Sequence, residues 1–207
     1  MLDILSDRTY RHLFLAQVVA LLGTGLATVA LGLLVFDLAG GGAALVLGTV
    51  FAIKMVAYVG IAPIAGAFAD RVPRRAFLVT LDLLRAGVAL ALPFVAEVWQ
   101  VYLLIFLLQS ASAAFTPTFQ ATLLDVLPEE ARYTRALSLS RLAYDLENIV
   151  SPTLAAVLLA VMSYNSLFLG TALGFTASAL LVVSVLLPSP SPSKSRDIYD
   201  RTTRGIR

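Results

Sequence analysis

Six apolar stretches, at residues 11–36, 44–68, 76–96, 99–124, 137–161 and 167–187, take up most of this chain of 207 residues. A hydrocarbon core about 30 Å thick is crossed by about 20 residues of helix, and within it every backbone polar group must bond inside its own segment. The pattern predicts an all-α protein: a six-transmembrane-helix bundle over residues 1–187, with a short interfacial lead-in and no room for a soluble domain. Composition agrees, with 59% hydrophobic residues, 14% charged and a mean hydropathy of +0.88.

Lys and Arg outnumber Asp and Glu by 15 to 13, a balance that would raise the question of nucleic acid in a soluble protein. Here the basic residues sit beside the spans and form no stripe on a polar domain, so no nucleic-acid partner is expected and lipids are. Arg8 and Arg11 precede the first span; Arg71, Arg74 and Arg75 follow the second; Arg132, Arg135 and Arg141 surround the entrance to the fifth. Residues 37–43, Glu97 and residues 163–166 contain no Lys or Arg. The positive-inside rule then places the N-terminus and the C-terminus in the cytoplasm. Dominance of Gly, Ala and Leu, with short loops, suggests a bacterial inner membrane. The tail, residues 188–207, opens on alternating Pro and Ser and continues basic, which reads as a flexible cytoplasmic segment.

Cys is absent and His12 is the sole histidine, so no disulfide, thiol nucleophile or metal cluster is expected. No nucleophile, base and orienting acid assemble, and no phosphate-binding loop of the Gly-rich Lys-Ser/Thr form occurs. The chain reads as a non-enzyme without cofactor or ATP motor. Asp3, Asp7 and Arg8 break up the first ten residues, so no cleavable leader is expected and the first span serves as its own insertion signal.

Charges within spans are costly and normally face a partner or a water-filled space. Lys54 has no acid in its own span to neutralise it. Asp82 and Arg85, three apart, share a helix face and suit an internal pair as well as a cavity. Asp145 and Glu147 lie in the fifth span, with Arg141 four residues before Asp145. Tyr58, Gln109, Tyr144 and Asn148 add hydrogen-bonding groups, and Phe115 and Phe119 add aromatic surface. Lys54, Tyr58, Asp82, Arg85, Gln109, Tyr144, Asp145 and Asn148, with the two Phe rings, are the candidates for a central pocket of mixed character; packing and interhelical bonds are the plainer alternative. Pro63, Pro93, Pro117 and Pro152 can bend or interrupt helices, with Pro117 and Pro152 the candidates for functional bending. Gly23, Gly25, Gly32, Gly60 and Gly66 permit close helix contact.

The segment Gly66-Ala67-Phe68-Ala69-Asp70-Arg71-Val72-Pro73-Arg74-Arg75 resembles the signature Gly-x-x-x-Asp-Arg-x-x-Arg-Arg/Lys of the major facilitator superfamily, found between that family's second and third helices. The resemblance implies a cytoplasmic gate in which Gly66 packs closely, Asp70 is the stabilising acid, and Arg71 and Arg74 are its basic partners. Pro73 departs from the usual glycine and leaves the charges intact. Tyr10-Arg11-His12-Leu13-Phe14, followed by Gly23-Thr24-Gly25, resembles the first helix of drug- and siderophore-exporter branches. Ser151-Pro152-Thr153-Leu154-Ala155-Ala156 is similar to their fifth-helix Gly-Pro-x-x-Gly-Gly motif, with small residues in place of the glycines.

The resemblance covers one six-helix half, the N-terminal one, of a twelve-helix fold whose two bundles rock around the substrate route. The expectation is a transporter half-unit that exports a small amphipathic solute after pairing with another bundle. The alternative is a non-transporting structural or accessory subunit of a larger membrane complex.

Overall fold

The computed structural model describes residues 2–69 and 72–187. Its α-helices are α1 (Arg8–Ala39), α2 (Ala43–Ala69), α3 (Arg74–Ala91), α4 (Val98–Val126), α5 (Glu130–Leu159) and α6 (Tyr164–Val183), with no strand among the described residues. Among the described residues, five continuous helical stretches are long and apolar enough to cross a membrane: Arg8–Ala67, Arg74–Phe94, Val98–Val126, Glu130–Leu159 and Tyr164–Val183. The six separate spans expected from the sequence are therefore found as five. The reason is local: a 3-10 turn, Gly40–Gly42, joins α1 to α2 without an extended residue between them.

Short polar signals set the helix ends. Asp7 lies in extended backbone and its carboxylate accepts the Tyr10 N–H at 3.0 Å, capping α1. Gly40, at φ 49°, stops the same helix, in backbone that a side chain would disfavour. Pro73 stands directly before α3. Gln100 caps α4 by accepting the N–H groups of Ala96 and Glu97 at 2.8 and 3.0 Å. α5 begins at Glu130, seven residues before the fifth apolar stretch opens at Leu137.

Neighbouring helices follow the order α5, α1, α6, α3, α4, α2, so α2 and α5 are the ends of the row. The tightest crossing is α1 on α6. A Cβ on Gly174 would stand 3.0 Å from the Val19 carbonyl oxygen and 3.2 Å from the Gly23 Cα, and Thr171 donates its hydroxyl to the Gly23 carbonyl at 2.9 Å. Without a hydrophobic force between helices in lipid, such backbone approach and interhelical bonding supply the association. Gly25 does the same for α1 on α5, since a Cβ there would overlap Ser151 and the Glu147 carboxylate. Gly32 and Gly60 have nothing nearby, and Gly66 meets only Pro117 at an ordinary 3.8 Å, so these three are not held to glycine by close packing.

Two apolar cores fill the bundle. One gathers Leu34, Val35, Val50, Leu92, Ile105 and Phe168; the other gathers Ile4, Tyr10, Leu78, Phe119, Leu123 and Leu139. Between them lies a belt of buried polar side chains: Gln17, Asp82, Arg85, Ser140, Thr171 and Ser178. Many span hydroxyls, including Thr24, Thr118 and Thr122, donate to the carbonyl four residues earlier. That bond removes the cost of a bare hydroxyl in hydrocarbon and needs no ligand to explain it.

Ion pairs staple one end of the bundle. Arg74 Nε of α3 stands 2.7 Å from Asp125 Oδ2 of α4, and Arg132 of α5 stands 3.9 Å from the capping Asp7. Arg75 donates to the carbonyl of Val183 at the end of α6. At the opposite end Tyr164 donates to Asp37 at 2.6 Å, tying the start of α6 to the end of α1.

Candidate functional site

α5 is the least covered helix. In its most apolar stretch only 11% is buried, against 39–50% in the other four crossing stretches. Tyr144, Asp145 and Asn148 are exposed on it, at a depth where hydrocarbon tolerates no bare polar group. α2, the other end of the row, presents half-buried Lys54 and Tyr58, with the ammonium 6.0 Å above the tyrosine ring.

On α5, Tyr144 is exposed and Glu147 is half-buried, with its carboxylate beside Gly25 of α1. Beside these groups, α1, α4 and α5 enclose a small polar recess of about 30 Å³, lined by Gln17, Phe115, Thr116, Phe119, Gln120, Ser140 and Tyr144. Ser140 donates to Gln17 there at 2.8 Å, while Phe115 and Phe119 stack at 5.6 Å. The two ends of the row thus offer Lys54 and Tyr58 on α2, and Tyr144 beside the Phe115 and Phe119 rings at the recess. Such a surface can hold a solute that is part apolar and part charged.

Other expected site residues lie elsewhere. Asp82 and Arg85 are buried in the core between α3, α4 and α6 and do not line the open face. They pair with each other; Ser178 of α6 donates to Asp82 at 2.7 Å; and the Arg85 guanidinium is sandwiched between the rings of Phe115 and Phe175 at 4.3 and 4.5 Å. Two aromatic faces and one carboxylate replace the water this cation would lose on burial. Asp145 forms an exposed pair with Arg141 at 3.3 Å, and Asn148 bonds the Tyr144 carbonyl at 2.8 Å. Gln109 is half-buried on α4, outside the polar recess. Pro117 and Pro152 do fall inside α4 and α5, where each removes the N–H that would bond the carbonyl of Ala113 or Asn148. Asp70 and Arg71 of the expected gate lie outside the described residues, and Arg74 is held by Asp125 within this same bundle.

Sequence reasoning left Glu147, Gln17, Gln120 and Ser140 out of the candidate pocket. Asp145 and Glu147 are two residues apart and so point to different sides of α5; without the helix packing, nothing selects between them.

The sequence profile of the Major Facilitator Superfamily matches residues 13–205. This chain belongs to that superfamily. Its similarity to individual superfamily members reaches 30% identity over 120 residues with the MFS-type transporter YfiS of Bacillus subtilis, covering 58% of this chain and 28% of that protein. It is 28% identical over 152 residues to macrolide efflux protein A of Streptococcus pyogenes, covering 71% and 37% respectively. It is 29% identical over 174 residues to multidrug resistance protein MdtG of Dickeya zeae, covering 83% and 42%. The chain thus spans less than half the length of these relatives. Superfamily membership makes it a multi-pass membrane protein of a transporter family, related to efflux proteins and without a catalytic role.

Proposed function

We propose that this chain is a transporter half-unit whose α2 and α5 face closes against a second bundle to carry a small amphipathic solute outward. The observation that carries the reading is the placement of Lys54 and Tyr58 on α2 and of Tyr144 and Glu147 on α5, charged and phenolic side chains on the two helices that end the row. Lipid alone makes that face expensive; a partner bundle enclosing water and solute does not. The names of the relatives, macrolide efflux and multidrug resistance, support the outward direction.

The same reading takes the stretch Arg8–Ala67 as two crossings that reverse at Gly40–Gly42, giving six spans. Its 60 residues would reach about 90 Å as one straight helix, about three times the hydrocarbon thickness. Positive φ at Gly40, and a core shared by Leu34, Val35, Val46 and Val50, support the reversal. Arg8, Arg11, Arg74, Arg75, Arg132 and Arg135 mark the cytoplasmic end of an inner-membrane protein. At that end Gly66, Asp70, Arg71 and Arg74 form the gate, and Pro117 and Pro152 are where α4 and α5 bend as it opens.

Stoichiometry in a native-like bilayer tests the pairing. A second copy or another six-helix bundle is expected against α2 and α5; a stable monomer would overturn the half-unit and leave the accessory-subunit alternative. In the paired assembly, Lys54→Met and Glu147→Gln are each expected to lower the flux of a fluorescent amphiphile at least tenfold while preserving insertion. Flux unchanged in both variants would remove these residues from the solute route.

A further inference from the structure

On the opposite side of the α1–α5 crossing from the polar recess runs a groove of about 300 Å³. Phe14, Val18 and Leu22 of α1 form one wall, and Leu139, Leu146 and Val150 of α5 form the other. Glu147 borders its deep end, but its carboxylate lies against Gly25 and Ser151, so the walls are apolar almost throughout. From Phe14 to Leu22 the groove runs about 12 Å along α1, close to the roughly 15 Å of one leaflet's hydrocarbon.

The mouth of the groove is basic. Arg11 stands one turn before Phe14 on the same face of α1, and Arg135 one turn before Leu139 on the same face of α5. Both are exposed, and among the described residues neither enters an ion pair. The Asp7–Arg132 contact holds the starts of α1 and α5 near each other at this end.

We propose that this groove is a binding site for one anionic phospholipid, with an acyl chain between α1 and α5 and the headgroup phosphate on Arg11 and Arg135. An apolar slot as long as a leaflet, opening beneath two unpaired cations, matches the two parts of that molecule. A zwitterionic lipid fills the slot equally well, but the net charge of the mouth favours the anion. The site itself is independent of transport; only naming the leaflet as the inner one rests on the orientation proposed above.

Native mass spectrometry of the full chain in neutral detergent tests it, with phosphatidylglycerol and phosphatidylcholine of identical acyl chains as probes. One phosphatidylglycerol is expected to be retained preferentially, by about fivefold for each arginine near the surface. The pair Arg11→Gln and Arg135→Gln should abolish the preference, and Leu142→Trp, which fills the groove from its exposed side, should reduce retention of both lipids. Removing residues 188–207 should leave the preference intact. Equal retention of the two lipids, a preference that survives loss of both arginines, or one that disappears with the tail would each overturn the proposal. Because the chain lacks cysteine, a single Ser138→Cys can be labelled from either face of a vesicle. Labelling from outside would overturn the inner-leaflet assignment separately from the retention result.

Discussion

Gly174→Val is expected to destabilise the bundle strongly. Its Cβ would meet the Val19 carbonyl and the Gly23 Cα, which are backbone atoms that cannot rotate away. α1 and α6 must then separate, which also breaks the Thr171 hydroxyl's bond to Gly23. Overpacking of this kind costs about 3 kcal/mol, which corresponds to a fall of roughly 6–12 °C in thermal midpoint for a chain of this length. Gly87→Val is the control: nothing lies within 4 Å of the added carbon, so a change within about 0.5 kcal/mol is expected. Thermal unfolding of the two variants in the same detergent checks the pair. Equal midpoints would mean that α1 and α6 do not cross where Gly23 and Gly174 meet.

The second large effect belongs to Asp82 and Arg85. Removing one charge, as in Asp82→Leu or Arg85→Met, leaves the other buried without its partner, which costs about 3–5 kcal/mol. Removing both together is expected to cost much less than the sum, because an apolar pair of similar volume needs no compensation in the core formed with Phe115 and Phe175. A double-mutant cycle on thermal stability measures the difference. Additive losses would show that the two side chains are not coupled, contrary to their pairing in α3 and the bond from Ser178.

The legibility of the site was uneven for a physical reason. Lys54 and Tyr58 were readable because a cation and a phenol in a long apolar run are costly wherever the run packs. The Asp82–Arg85 pair was readable as a pair from its spacing, but its burial was not, since Phe115 and Phe175 arrive from helices far away in sequence. Asp145 and Glu147 look alike in the chain; packing turns one out to Arg141 and the other in toward Gly25. Gly66 belongs to a recognisable signature, yet the glycines that packing requires are Gly23, Gly25 and Gly174.

That this chain is an all-α membrane protein of a transporter family was legible in the residues alone, because hydrocarbon thickness and backbone bonding demand apolar helices of about 20 residues or more. Its charge pattern marked one end of the bundle as basic. Helix packing alone made α1 and α2 one continuous helical stretch, put α2 and α5 at the ends of the row of neighbours, and set Glu147 against Gly25 of α1. Those outcomes depend on which helix faces meet. Lipid is as apolar as the side chains it touches, so hydrophobicity alone cannot choose a face; small residues, hydroxyls and charges from distant parts of the chain do.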